Sequence, residues 1–202
     1  MEKLRGTGVA LVTPFRKNFS VDFFSLEKLI NHVIDGGINF LVLMGTTGES
    51  VVLSKSEKRE VVDFCKKINA GRLPIILGLG SNDTFALVEE IKSTEFDGID
   101  AVLSVSPYYN KPTQEGIYLH YKMIAEVCPL PIILYNVPGR TASNISAETT
   151  LRLANDFENI VAVKEASGDL QQIAEIIEKR PANFLVLSGD DGLTSKMIAM
   201  GG

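Results

Sequence analysis

Seven short apolar runs recur along the 202-residue chain, and they restrict its possible folds more than any other feature. Each run is rich in Val, Ile and Leu and is closed by Gly, Pro or a polar residue. Strands with so continuous an apolar character are typical of parallel sheets that are covered on both faces. The runs are GVALVTP, FLVLMG, PIILGLG, AVLSVSP, PIILYNVP, IVAVKEA and FLVLSGD.

Helical patterns separate these runs. SLEKLINHVIDGG carries one apolar stripe and ends in a glycine pair suited to a C-cap. SKSEKREVVDFCKKI opens with Ser54 and Glu57 at the spacing of a capping box, and QEGIYLHYKMIAEVC shows a third helical stripe. Seven such βα units predict an α/β protein with a (β/α)8 TIM barrel. An open dinucleotide-binding sheet is disfavoured because GLGSND lacks the third glycine of that fingerprint.

The number of strands is one short of a closed barrel. The seventh run is followed by DGLTSKMIAMGG, the start of a seventh helix, and no eighth strand is present. An unclosed barrel would leave unpaired strand edges. We therefore expect residues 1–202 to form a single barrel domain, truncated before strand 8, that is the N-terminal portion of a longer chain.

Composition and charge exclude several classes of partner. The net charge is -5 and no basic stripe is present, which disfavours nucleic acid. No apolar run approaches membrane-spanning length, and the N-terminus lacks the apolar core of a signal peptide. Cys65 and Cys128 lack metal-like spacing and are interpreted as buried thiols of a cytoplasmic protein. His32 and His120 are interpreted as packing or surface residues and not as metal ligands.

Lys164 follows the apolar residues of the sixth run, where burial of an ammonium group would cost free energy. Strand alternation places it on the same side as Ile160 and Ala162. If that side is the barrel lumen, desolvation lowers the lysine pKa, and a neutral amine can form a Schiff base with a carbonyl. The alternative is a structural lysine that reaches water or pairs with Glu165.

Two further strand ends supply hydroxyl groups. Tyr135 lies within PIILYNVP, where its phenol could transfer protons beside an imine, or could be a satisfied core tyrosine. GTTGES places Gly45, Thr46 and Thr47 on a strand-to-helix turn that could bind a carboxylate through N–H groups and hydroxyls. Ordinary turn and capping chemistry is the alternative there.

The remaining junctions add aromatic groups and a cation. SPYYN carries Tyr108 and Tyr109 on a loop, where adjacent aromatics also serve as packing or interface residues. Arg140 follows YNVPG and could clamp a carboxylate or simply be solvated. Together these groups are suited to imine-forming chemistry on a keto acid.

In their order and spacing, GTTGES, SPYYNKP, YNVPGRT and VAVKEASGDL resemble the 4-hydroxy-tetrahydrodipicolinate (dihydrodipicolinate) synthase family. The resemblance covers essentially the whole chain. It implies a class I aldolase-type barrel that condenses pyruvate with L-aspartate 4-semialdehyde in lysine and diaminopimelate biosynthesis. It also implies that no cofactor or metal is needed and that the intact chain forms a homotetramer, a dimer of dimers.

The resemblance assigns roles to individual residues. Lys164 corresponds to the lysine that forms the Schiff base with pyruvate, and Tyr135 to the proton donor and acceptor beside it. Thr46 and Tyr109 correspond to the other members of a proton relay. In this relay the Tyr109 of one subunit extends across a dimer interface into the active site of its partner. The substrate-binding positions correspond to Gly45 and Thr47 for the pyruvate carboxylate and Arg140 for the semialdehyde carboxylate.

Related activities remain alternatives at this point. N-acetylneuraminate lyases and 2-keto-3-deoxy sugar-acid aldolases share the barrel and the lysine. Arg140, the PYYN pair and KEASGD favour the synthase, since neuraminate lyases generally lack this arginine. A second alternative is a noncatalytic fragment, because an open barrel would leave the surroundings of Lys164 loosely packed.

Feedback by lysine is expected to be weak or absent. Ser50, Asn82 and Tyr108 would fit the family's allosteric site at the dimer interface. Extra cations and a missing carboxylate disfavour an incoming ammonium group. Family members that lysine inhibits often carry two histidines and a glutamate at the positions of Lys55, Lys58 and Ala86.

Overall fold

The computed structural model describes residues 2–202, which divide into two compact units. The first unit extends to Gly78 and includes Phe96–Ala101, and the second comprises Leu79–Glu95 and Val102–Gly202. That residues 1–202 act as a single catalytic domain stays a prediction.

Three parallel strands and two long helices form the framework of the first unit. The strands pair in chain order, β1 with β2 and β2 with β3. The predicted capping box is confirmed, because the Ser54 hydroxyl accepts from the Glu57 N–H and the Glu57 carboxylate accepts from the Ser54 N–H. The elements are β1 (Gly8–Ala10), α1 (Phe23–Asp35), β2 (Phe40–Leu43), α2 (Lys55–Asn69) and β3 (Ile75–Gly78), with short 3-10 helices at Glu2–Leu4, Thr46–Gly48 and Ser50–Val52.

The second unit continues the alternation of strands and helices. Its strands are also parallel, and β4 to β7 pair in chain order. The elements are α3 (Thr84–Ser93), β4 (Ala101–Val105), α4 (Gln114–Val127), β5 (Ile132–Asn136), α5 (Pro138–Thr141), α6 (Ala147–Asp156), β6 (Ile160–Glu165), α7 (Leu170–Lys179), β7 (Leu185–Ser188) and α8 (Thr194–Ala199).

Burial of the strands confirms the predicted fold class. All four residues of β2 and all five of β5 are buried, as expected for strands covered on both faces. Each of the seven apolar runs forms one strand, and each strand is followed by a helix. The repeating unit is that of a (β/α)8 barrel, with seven units in this chain.

The helices, cysteines and histidines of the described residues bear on the remaining expectations. Across residues 2–202, no helix combines the length and apolar character that crossing a bilayer requires. Cys65 and Cys128 are free and buried. His120 is buried and its Nδ1 lies 2.8 Å from the Thr84 hydroxyl, whereas His32 is exposed. Both histidines therefore act as the packing and surface residues that were predicted.

Candidate active site

Tyr135 and Lys164 lie side by side at the ends of β5 and β6. The two residues are direct partners in the parallel register, so their side chains leave the sheet on the same side. The Lys164 Nζ is 4.4 Å from the centroid of the Tyr135 ring. The sheet register thus brings together the two residues that the sequence singled out for imine chemistry.

The surroundings of Lys164 lower the pKa of its amine. Burial lowers its pKa, while the nearby charge of Asp191 raises it and opposes that shift only in part. Gly189 contacts the lysine stem so closely that an added Cβ would lie 2.9 Å from the Lys164 Cε. A dry lysine beside a phenol can lose its proton and attack a carbonyl.

The alternative ion pair between Lys164 and Glu165 is not what the structure shows. Glu165 is fully buried, and its carboxylate accepts from the amides of Asn136 at 3.0 Å and Gln172 at 3.2 Å. Burial raises the pKa of Glu165, and these hydrogen bonds oppose that shift. The carboxylate therefore belongs to an amide network and leaves the amine of Lys164 to other chemistry.

The loop after β5 carries a cation, Arg140, five residues after Tyr135. Val137 follows β5, and Pro138 opens the single turn of α5 that carries Arg140. Arg140 is exposed, and among residues 2–202 it takes part in none of the observed ion pairs. A guanidinium in this state is available for a ligand carboxylate.

The loop after β4 presents two adjacent tyrosines differently. Tyr108 is half-buried, whereas the Tyr109 side chain is 84% exposed and its backbone has a positive φ of 70°. The Tyr109 N–H donates to the Thr141 carbonyl at 3.2 Å, which ties this loop to α5. The exposed ring of Tyr109 is therefore accessible to a ligand or to another protein surface.

In the first unit, GTTGES forms the 3-10 helix Thr46–Gly48 directly after β2. The Gly48 N–H donates to the Gly45 carbonyl at 3.0 Å, and the Thr13 hydroxyl donates to the Gly48 carbonyl at 2.7 Å. Thr46 and Thr47 are exposed on this fixed turn. Their hydroxyls can therefore reach a ligand without breaking a core contact.

The predicted regulatory positions are also accessible in part. Ser50 begins the 3-10 helix Ser50–Val52, and Asn82 directly precedes the N-cap of α3. Both side chains are half-buried, as is Tyr108. Within residues 2–202, no group of three or more His, Cys, Asp or Glu side chains is arranged to hold a metal ion.

The sequence analysis missed three residues at this end of the strands. Asn136 directly follows Tyr135 and Glu165 directly follows Lys164, so alternation turns their side chains to the opposite face of the sheet. Gly189 follows β7 and leaves the space that the lysine stem fills. The available signal was positional, because each residue lies at the carboxyl end of a predicted barrel strand.

Comparison with known proteins gives a consistent result. The sequence profile of the dihydrodipicolinate synthetase family matches residues 3–202. The 4-hydroxy-tetrahydrodipicolinate synthase of Flavobacterium psychrophilum is 57% identical over 202 residues, which are 100% of this chain and 69% of that protein.

Solved structures agree with the sequence comparison. The chloride-inhibited dihydrodipicolinate synthase of Acinetobacter baumannii in complex with pyruvate is 45% identical, with a TM-score of 0.94 over 98% of this chain and 68% of that one. The lysine-bound enzyme of Cyanidioschyzon merolae is 43% identical, with a TM-score of 0.92 over 98% of this chain and 67% of that one.

Proposed function

Because this chain belongs to the dihydrodipicolinate synthetase family, whose named members are lyases, we propose that it condenses pyruvate with L-aspartate 4-semialdehyde through a Schiff base on Lys164. The observation that carries this proposal is the half-buried amine of Lys164, 4.4 Å from the ring of Tyr135. The pyruvate bound to the Acinetobacter baumannii relative supports the choice of keto acid. The product would be 4-hydroxy-tetrahydrodipicolinate, an intermediate in lysine and diaminopimelate biosynthesis.

The first step is imine formation. The neutral amine of Lys164 attacks the keto carbon of pyruvate, and the resulting carbinolamine loses water to give a carbon–nitrogen double bond. The oxygen must gain protons to leave as water, and the amine must lose them. We assign these transfers to the phenol of Tyr135, whose ring centroid lies 4.4 Å from the amine.

The second step forms the carbon–carbon bond. Loss of a proton from the pyruvate methyl group gives an enamine, whose carbon attacks the aldehyde carbon of the semialdehyde. The amino group of the semialdehyde then displaces Lys164 from the imine carbon, which closes the ring and frees the enzyme. By resemblance to the family, Thr46 and Tyr109 complete the proton relay that serves Tyr135.

Carboxylate recognition is assigned to three other residues. We assign the pyruvate carboxylate to Gly45 and Thr47 on the fixed turn after β2, where Thr47 is exposed. The semialdehyde carboxylate is assigned to Arg140, whose exposed guanidinium takes part in no observed ion pair with residues 2–202. A planar guanidinium binds a carboxylate through two parallel hydrogen bonds.

A homo-oligomer and a cytoplasmic location complete the proposal. The 84% exposure of Tyr109 supports a role at a subunit interface, as in the dimer of dimers that the family resemblance implies. The free thiols of Cys65 and Cys128 support a reducing compartment. Sedimentation velocity of the intact enzyme, before and after Tyr109→Ala, tests the interface.

Trapping of the imine tests the central step. The protein is reduced with borohydride in the presence of pyruvate, and the adduct is located by intact mass and peptide mapping. We expect a single adduct on the peptide that carries Lys164, absent from Lys164→Ala. Lys179→Ala is the matched control, because Lys179 is exposed and paired with Glu175 at 2.8 Å. A folded sample that forms no adduct would favour the noncatalytic fragment.

The aldehyde partner needs a separate assay. Aspartate 4-semialdehyde, N-acetylneuraminate and a 2-keto-3-deoxy sugar acid are each offered to the protein that forms the pyruvate adduct. Of the three compounds, we expect only the semialdehyde, together with pyruvate, to be turned over. Arg140→Ala should weaken binding of the semialdehyde more than binding of pyruvate. Cleavage of either sugar acid would replace the synthase with an aldolase or lyase of the same superfamily.

A further inference from the structure

The pairing of β5 with β6 contains a register shift. Ile132 pairs with Ile160, but Ile133 pairs with Ala162, so Val161 has no partner in this ladder. From that point each residue of β5 pairs with the residue 29 positions later, up to Asn136 opposite Glu165. Only beyond the shift does Tyr135 lie opposite Lys164.

The unshifted register would separate the reactive pair. Continuing from Ile132 and Ile160 without the shift would place Tyr135 opposite Val163 and Asn136 opposite Lys164. Since side chains alternate between the two faces, the amine would then share a face with Asn136 and not with Tyr135. The apolar residues of these strands do not distinguish the two registers strongly, because Ile, Val, Leu and Ala are buried on both faces.

A buried polar pair does distinguish them. Asn136 and Glu165 are both fully buried, and the Asn136 amide donates to the Glu165 Oε1 at 3.0 Å. The Asn136 oxygen accepts from the Ile145 N–H at 3.0 Å, and Gln172 adds a second donor to Glu165 at 3.2 Å. In the unshifted register, Glu165 would face Val137 and lose its Asn136 partner, a costly position for a buried carboxylate.

We propose that Glu165 is a positioning residue whose bond to Asn136 holds the shifted register and thereby keeps Lys164 opposite Tyr135. The inference rests on the proposed function of Lys164, and it assigns Glu165 no contact with substrate. Buried polar groups that select one register at some cost in stability are known from other folds. Here the bonded carboxylate lies on the face of the sheet opposite to the reactive amine.

The test compares pyruvate trapping rates among variants at saturating pyruvate. Glu165→Leu removes the acceptor, and we expect the rate to fall at least about tenfold, as small displacements of a reacting group do. Glu165→Gln keeps an oxygen for Asn136 and should stay within about twofold of the wild-type rate. Urea unfolding of each variant confirms that the folded state is being assayed.

A destabilised control separates positioning from folding. Asn159 lies at the other end of β6, and its amide donates to the carbonyls of Ala125 at 2.9 Å and Cys128 at 3.3 Å. Asn159→Leu should lower the free energy of unfolding without changing the trapping rate. If the Glu165→Leu variant folds and still traps pyruvate at the wild-type rate, the proposed positioning role is wrong. If the wild-type chain traps nothing, the proposed function itself has failed.

If Glu165→Leu does not fold, the proposal can be tested by exchanging the hydrogen-bond donor and acceptor between positions 136 and 165. Asn136→Asp sets two carboxyl groups against each other and should slow trapping. The double variant Asn136→Asp with Glu165→Gln restores a donor and an acceptor in exchanged positions, and we expect it to recover most of the lost rate. A double variant no faster than Asn136→Asp alone would overturn the proposal.

Discussion

Replacement of Gly189 by alanine should disable Lys164 while leaving the protein folded. The added Cβ would lie 2.9 Å from the Lys164 Cε, 3.1 Å from its Cγ and 3.0 Å from the Ala166 Cβ. These separations are roughly 0.5 Å shorter than the lower end of ordinary carbon–carbon contacts. The Ala166 N–H donates to the Asn136 carbonyl at 2.8 Å, so the flexible lysine stem is the group that we expect to move furthest.

The expected magnitudes follow from that geometry. Overpacking lowers the free energy of unfolding by about 1–3 kcal/mol. Because the lysine stem can rotate away, we expect the loss for Gly189→Ala to lie near the lower limit. Rotation of the stem carries the amine away from the Tyr135 ring, and a displacement of about 1 Å at a reacting group can cost about a hundredfold in rate. We therefore expect pyruvate trapping to slow by about ten- to a hundredfold at a small cost in stability.

The assay pairs the trapping rate at saturating pyruvate with urea unfolding. Gly192→Ala is the matched control from the same loop, since its Cβ would meet only the Asp190 carboxylate, at 3.3 Å. That carboxylate accepts from the Gly192 N–H at 2.9 Å, but it is exposed, and a small shift of its side chain relieves the contact. Equal trapping rates for Gly189→Ala and the wild type would show that the close contact does not set the position of Lys164.

Three further outcomes are expected. Because Asp191 raises the pKa of Lys164, Asp191→Asn should lower that pKa further and shift the pH profile of imine trapping to lower pH; an unmoved profile would contradict this electrostatic account. Burial lowers the pKa of His120 to about 4 in the folded state, so that as the pH falls the unfolded state binds a proton at this histidine before the folded state does. The stability that is present above about pH 6.5 should therefore be lost as the pH falls toward 4. Urea unfolding of His120→Gln should show a weaker loss over that interval, and a parallel loss would assign it to other groups. Millimolar lysine should inhibit the intact enzyme little, since Ala86 stands where sensitive relatives often carry a carboxylate; condensation rates with and without lysine decide this.

Much of the fold could be predicted from local patterns. The apolar runs identified all seven strands, and the spacing of Ser54 and Glu57 predicted the start of α2. Both signals depend on residues close in sequence. The positive φ of Tyr109 was not predictable in this way, because tyrosine has no intrinsic preference for that region and its backbone bond to Thr141 comes from α5, more than 30 residues later.

The candidate site was predictable by residue type but not by geometry. Lys164 was conspicuous as a charge at the end of an apolar strand, and Tyr135 as a phenol inside one. Their pairing depends on the shift at Ile132 and Ile133, which leaves no trace in the composition of either strand. The amide contacts of Glu165 could not be predicted from its neighbours, because its partners Asn136 and Gln172 are 29 residues earlier and seven residues later in the chain.

The order of Lys164 and Glu165 explains how one strand end meets two opposing demands. The reactive amine that we propose needs a largely buried setting that lowers its pKa, and such a setting offers few polar contacts to hold it in place. Because alternate residues of a strand face opposite sides, the next residue can make polar contacts on the far face without hydrating the amine. Glu165 makes those contacts to amides and not to a cation, so its charge does not pair with the lysine. Reversing the two residues would place the carboxylate beside Tyr135 and the amine among the amides, and neither group could then perform its role.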